Sequence, residues 1–211
     1  MTPRIIAVAH LKGGTGKTTS AAYLAHAFRQ LNRTVLIVDA DNQESMKDWA
    51  ELSRWEIPTI GLPSKTLHRK VRGLGAGYDY VLIDCPPYYP REDEDPDKVP
   101  AASVVMSCLK AADVVVVPMA PTLMELHRVG PTLRAIAAAA VPGQDVRFLL
   151  NRAVSGAGST DGVRQSLTAG GNRVFQVAVK RLEDVAQSMG APITGNLAGY
   201  LSAAIELEES K

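Results

Sequence analysis

The stretch KGGTGKTT, Lys12 to Thr19, contains the residues best suited to chemistry. Lys12 and Lys17 flank Gly13, Gly14, Thr15 and Gly16, and the threonines Thr18 and Thr19 follow. Glycines let the backbone turn successive N–H groups inward, which makes a nest for an anion. A helical pattern begins directly after them, and its positive N-terminus faces the same spot. In that setting Lys17 reaches the β- and γ-phosphates of a nucleotide, and the Thr18 hydroxyl can ligate Mg²⁺. A dinucleotide fingerprint would need glycine at position 19, where Thr19 stands. The common loop G-x-x-x-x-G-K-[ST] would need glycine at position 11, where Leu11 stands. Lys12 is not needed for the phosphate cradle. Two ammonium groups this close repel by about 1 kcal/mol in water at 4 Å, and by more at lower dielectric. A bound polyphosphate would relieve that repulsion.

Carboxylates follow at the ends of two other apolar runs. TVLIVDAD (34–41) places Asp39 and Asp41 two residues apart, so both project to one side. YDYVLIDCPP (78–87) ends its apolar run on Asp84, a charged tip on a buried approach, which suits a magnesium-water ligand. LLNR puts Asn151 at a later strand end.

The elements that must position these residues can be read from the periodicity. Strands are expected at 4–11, 34–41, 57–62, 78–87, 113–118, 145–152 and 173–179. Helices are expected at 18–31, 43–52, 64–74, around 101–112, within 123–140 and from about 181 to 207. Continuous Val/Ile/Leu runs separated by helices mean strands covered on both faces, hence a mostly parallel sheet. Such sheets bind ligands beyond the carboxyl ends of their strands, where Lys12–Thr19, Asp39, Asp41, Asp84 and Asn151 all fall.

KGGTGKTT resembles the deviant Walker A motif, KGGxGKTT, of the ParA/MinD family of P-loop ATPases. VLIVDADNQ is similar to that family's D-x-D-P-Q motif, with Asn42 in place of proline, and Asp84-Cys85-Pro86-Pro87 matches its D-x-P-P. DADNQESMKDWA further resembles small partition proteins of the ParF kind. The resemblance implies one α/β P-loop domain over 1–211, with a mostly parallel twisted sheet and helices on both faces. It implies an ATP hydrolase with slow intrinsic turnover, using ATP/ADP and Mg²⁺. Lys12 would reach across an ATP-dependent homodimer to the partner's phosphates. Asp41 would position or activate the attacking water. Asp39 would support the metal's water shell, Thr18 and Asp84 would serve the metal, and Asn151 would contact the adenine. The implied function is DNA partition, with a ParB-like adaptor that stimulates turnover and nonspecific DNA as the surface bound in the ATP state. Two alternatives remain open: positioning of a protein cargo, and ATP-dependent metabolic chemistry of the dethiobiotin synthetase kind.

Composition bounds these readings. The chain has 211 residues, 46% of them apolar, enough for one full core. Lys plus Arg is 23 against 22 for Asp plus Glu, so the net charge of +1 does not compel a nucleic-acid partner. DNA contacts, if made, would come from a local patch. The segment KTLHRKVR, with Lys65, Arg69, Lys70 and Arg72, is the densest basic stretch, and Arg147, Arg164, Arg173, Lys180 and Arg181 are further candidates. The cysteines, Cys85 and Cys108, are too few for a disulfide framework and are expected as buried hydrophobes. No apolar run reaches the ~18 residues that span a bilayer. The chain opens on its first strand, so no N-terminal helix-turn-helix domain is expected. Its acidic end, AAIELEESK, is not expected to act as a basic membrane-binding helix. The expected location is cytoplasmic, with nucleoid association in the ATP state. One stretch, YYPREDEDPDKVP (88–100), carries five carboxylates and three prolines and reads as an acidic insertion loop.

Overall fold

The computed structural model describes residues 2–88, 99–195 and 197–210. Most of the acidic stretch 88–100 therefore lies outside the described residues. Among the described residues seven parallel strands form one sheet: β1 (Arg4–Val8), β2 (Val35–Asp39), β3 (Thr59–Gly61), β4 (Tyr80–Asp84), β5 (Val114–Met119), β6 (Asp145–Leu150) and β7 (Arg173–Val174). Their order is β3-β2-β4-β1-β5-β6-β7. From β1 the chain crosses to β2 on one side, and from β4 it passes to β5 on the other. The direction of winding thus reverses at β1, and the loop after β1 opens into the resulting crevice.

The residues of β1, β2, β4 and β5 are almost all buried, as their unbroken Val/Ile/Leu runs require. One face is covered by α1 (Lys17–Gln30), α2 (Ser45–Ser53) and α9 (Tyr200–Glu208). The other carries α3 (Leu67–Leu74), α4 (Pro100–Ala111), α6 (Gly130–Ala139) and α7 (Ser159–Ala169). Two short helices complete the described elements, α5 (Leu123–Arg128) and α8 (Glu183–Ala186). α1 is tied down by Phe28, which stacks on Tyr80 with ring centroids 3.9 Å apart, and by Ser20, whose hydroxyl lies 3.0 Å from the Tyr200 hydroxyl. The apolar side of α9 (Tyr200, Ala203, Ala204 and Leu207) is spent in that core. Cys85 and Cys108 are free and buried, as expected.

The structure departs from the sequence expectation in four places; one is the stretch from about 181 to 207, which among the described residues is helical only in α8 and α9. The helix expected within 123–140 is two helices, because Pro131 at the start of α6 has no N–H to continue the first. α7 was not expected. Its buried positions are Val163 and Leu167, one helical turn apart, too few to mark a periodicity. The strand expected over 173–179 ends at Val174, because the Glu206 carboxylate accepts the N–H groups of Gln176 and Val177 at 2.9 and 3.0 Å in place of a strand neighbour.

Candidate nucleotide site

The phosphate loop joins β1 to α1 at the carboxyl edge of the sheet. Gly14 and Gly16 have φ of 73° and 89°, a region that favours glycine. At Gly16 a Cβ would also lie 2.8 Å from Asn151 Nδ2, so this position has neither the conformation nor the space for a side chain. Lys17 is buried, and its ammonium donates to the Lys12 carbonyl at 3.1 Å. Burial lowers its pKa, while Asp84, Cys85 and Asp41 act against that shift. The lysine is thus folded back over its own loop, with its charge held at the nest. Leu11 anchors the start of the loop by donating its N–H to Thr132 Oγ1 at 3.1 Å.

The strand register brings the aspartates to this loop. Asp39 lies level with Asp84 across the β2–β4 pair, and Val8, the last residue of β1, lies level with Asp84 on its other side. Asp84 is buried. Burial pushes its pKa up to about 7; Asp39 and Asp41 add to the rise, while a hydrogen bond from Thr18 and the charge of Lys17 oppose it. Among the described residues its Oδ1 has no hydrogen-bond partner. An acidic oxygen buried beside a phosphate nest, with a threonine hydroxyl on the same carboxylate, fits a magnesium ion that arrives with a nucleotide. Among the described residues no cluster of three His, Cys, Asp or Glu side chains could hold a metal by itself, so phosphate oxygens and water would have to supply the remaining ligands.

The two aspartates of the β2 end differ. The Asp39 carboxylate accepts the N–H groups of Asp41 at 3.0 Å, Met46 at 3.0 Å and Lys47 at 3.2 Å. It satisfies orphan donors at the start of α2 and shapes the turn that carries Asp41. Asp41 is half-buried and uses Oδ1 to accept the Gln43 N–H at 3.0 Å.

Asn151 follows β6 and is buried. Its Nδ2 donates to the Thr15 carbonyl at 2.8 Å, which fixes the orientation of the amide and leaves Oδ1 buried without a partner among the described residues. It lines a cavity of about 400 Å³ together with Gly16, Thr19, Arg152, Lys180, Arg181 and Tyr200. An unused acceptor at the floor of a cavity beside the phosphate nest fits the amino group of an adenine.

Lys12 has a partner far from it in the chain. Its ammonium forms an ion pair with Glu125 of α5, and the Lys12 side chain is 31% exposed against 14% for Glu125. Glu125 Oε2 is buried without a hydrogen-bond partner among the described residues. His10, also buried, accepts the Lys12 N–H on Nδ1 at 3.1 Å. Burial lowers its pKa to about 4, with Lys17 and Lys12 adding to the fall and Glu125 opposing it. Next to Glu125, Leu123 and Met124 are largely exposed.

The basic residues considered for DNA are scattered. On α3, Leu67 and Val71 face the core while Arg69 and Lys70 are exposed. Arg72 is bound to Asp113 at 2.8 Å and to the Pro3 carbonyl at 3.2 Å. Lys65 lines a cavity of about 530 Å³ on the α3–α4–α6 face, which also reaches Leu11 at the start of the loop. Arg147 is buried and paired with Asp145 at 2.7 Å, which takes it off any DNA-facing surface. Arg173 pairs with the same aspartate at 2.6 Å, and Arg164 donates to the Phe175 carbonyl. Lys180 and Arg181 line the cavity beside Asn151.

A β1–loop–α1 phosphate nest, set at the winding reversal of a parallel sheet with Asp84 beside it, defines a P-loop nucleotide-binding α/β protein. Residues 6–193 match the CobQ/CobB/MinD/ParA nucleotide binding domain, and the chain belongs to that family. It is 36% identical over 153 residues to the maintenance of carboxysome distribution protein A of Gloeobacter kilaueensis, covering 71% of this chain and 63% of that protein. The chain thus spans less than two thirds of that relative's length. A protein of the same description from Halothiobacillus neapolitanus is 25% identical over 182 residues, covering 83% of this chain and 79% of its own. The septum site-determining protein MinD complexed with Mg-ADP from Pyrococcus horikoshii has the same fold, with a TM-score of 0.72 at 18% identity over 99% of this chain and 97% of that one. Among the described residues no helix is long and apolar enough to cross a membrane.

Proposed function

We propose that this protein is a ParA/MinD-type ATPase, a switch that closes two copies on ATP and Mg²⁺ and opens them on hydrolysis, and so positions a cargo. The observation that carries the reading is Lys12. The nest is complete with Lys17, Thr18 and the loop N–H groups, yet a second lysine stands at its rim, partly exposed and pointing away from its own loop toward α5. A cation there serves a second phosphate chain better than the first. In a closed pair it would lie against the partner's nucleotide and stabilise the charge that develops during phosphoryl transfer. Leu123 and Met124, exposed next to its ion pair, give that face apolar surface for a second copy to cover.

Within each copy, Lys17 and the loop amides would hold the β- and γ-phosphates. Thr18 and Asp84 would hold the magnesium ion, which neutralises phosphate charge. Asp39 would act through Asp41, by fixing the turn from which Asp41 orients the attacking water. Asn151 would select adenine by accepting its amino group. A protein assembly as cargo is supported by the carboxysome-distribution relatives, and DNA partition by the motif resemblance. In both readings the ATP-bound pair would rest on nonspecific DNA through exposed cations such as Arg69 and Lys70, in a nucleoid-associated state. An adaptor protein would raise the slow turnover.

The test is ATP turnover with no metabolite present, with and without nonspecific DNA and with the product of an adjacent gene. The reading expects slow hydrolysis that DNA and the adaptor raise together. Turnover that requires a small-molecule phosphoryl acceptor would overturn it in favour of a metabolic enzyme.

A further inference from the structure

Glu125 stands outside the phosphate nest and its only described side-chain bond is to Lys12. It sits in the first turn of α5, where its N–H is capped by Thr122 Oγ1 at 3.2 Å, so its backbone position is fixed. Its carboxylate is far more buried than a surface ion pair requires, and one oxygen is satisfied only by Lys12. The other oxygen is buried and has no partner among the described residues. A half-satisfied buried carboxylate depends strongly on the donor it has, because loss of that donor leaves a desolvated charge. Lys12 is also the group that must reach outward for two copies to close. Within one chain its ammonium is spent on Glu125 and cannot occupy both places.

We propose that Glu125 is a positioning residue for Lys12: in the single chain it holds the lysine against α5, and ATP-driven closure of two chains must first break this ion pair. The inference rests on the bridging task given to Lys12 above. It makes the pair a threshold. ADP, which lacks the γ-phosphate, offers Lys12 less negative charge in exchange for Glu125, whereas ATP offers more. The same helix exposes Leu123 and Met124, so a second copy docking on α5 would cover the apolar residues beside the ion pair it opens.

The experiment measures the ATP–Mg²⁺ concentration needed for half-maximal dimerisation, by light scattering with a non-hydrolysable analogue, beside ADP affinity and the thermal midpoint. Glu125→Gln keeps the shape and removes the charge. It should lower the threshold roughly tenfold, an ion pair intermediate between exposed and buried, while ADP affinity stays within about twofold, since Glu125 does not touch the nest. Glu125→Asp, with a carboxylate one methylene short of Lys12, should lower it by less. A merely structural role predicts the opposite sign, a raised threshold with a lowered thermal midpoint, and that result overturns the proposal, as does an unchanged threshold. Lys12→Ala separates the two layers. If it fails to dimerise while Glu125→Gln shows no change, the holding role alone is wrong. If it dimerises normally, the bridging reading fails and the holding role fails with it.

Discussion

The inner and outer walls of the same loop contrast sharply. On the inner wall several groups are used within one chain: Lys17 is folded onto the Lys12 carbonyl, Asn151 clamps Thr15, and Gly16 makes room for that clamp. Among the described residues, Asp84 Oδ1, Asn151 Oδ1 and Thr15 Oγ1 stay buried there without a partner, and a magnesium ion and an adenine would fill the first two. On the outer wall the arrangement is provisional. Lys12 is partly exposed, Glu125 is satisfied on one oxygen only, and Leu123 and Met124 face solvent. In the proposed function the inner wall takes the nucleotide, and the outer wall would be completed by a second copy of the chain. The contrast also explains how two lysines coexist: one is turned into the nest, and the other is neutralised from outside by a carboxylate.

The contrast is broken most severely by exchanging the two lysines' consequences. Lys17→Ala should reduce ATP and ADP affinity by at least about 100-fold, the loss expected for a buried charged group on phosphate. Lys12→Ala should leave nucleotide affinity of the single chain within about threefold while dimerisation is lost. Equilibrium binding of a fluorescent nucleotide, read beside molecular mass, checks both. Equal losses of affinity in the two variants would erase the distinction between the walls.

A smaller effect is expected at the base end of the inner wall. Asn151→Ala removes both the clamp on Thr15 and the free acceptor. ATP should weaken by about tenfold, the worth of one or two hydrogen bonds. Discrimination against GTP should shrink, because guanine presents an acceptor where adenine presents its amino group. Competition binding measures this, and undiminished preference for ATP would remove Asn151 from base selection.

The smallest effect is a dependence on pH. Asp84 is held up to about 7 when folded, chiefly by burial, against an ordinary value near 3.8. Between those values the folded chain keeps a proton that the unfolded chain has given up, so this group's contribution to stability falls as pH rises from about 4 to about 7. The slope is at most ~1.4 kcal/mol per pH unit. His10 acts in the opposite sense over the lower part of this range, because it stays neutral down to about pH 4. The difference between wild type and Asp84→Asn isolates the carboxylate. Urea unfolding of the nucleotide-free protein at pH 5 and pH 7 should show wild type losing stability relative to the variant, and parallel curves would contradict the buried, protonated state.

Much of the inner wall was legible in the sequence, because local rules write it. The glycines of the loop, the lysine at the start of α1 and the aspartate ending an apolar run each announce their place within a few residues. The sheet was legible for the same reason, since β4 and β5 are uninterrupted apolar runs. The outer wall was not, because it is made by distance. Glu125 lies 113 residues from Lys12, and only the fold joins them. β7 stops early because of Glu206, about 30 residues further along the chain, and α7 shows too few apolar residues to be seen. Asp39 was legible as a strand-end carboxylate, but its task of capping the start of α2 depends on a turn whose shape the sequence does not state.

The most direct test of the account is the molecular mass of the protein saturated with Mg²⁺ and a non-hydrolysable ATP analogue, measured by light scattering beside the ADP-bound form. The account predicts a dimer with the ATP analogue and a monomer with ADP, and no dimer from Lys12→Ala under either condition. A wild-type protein that binds the analogue and stays a monomer would contradict it.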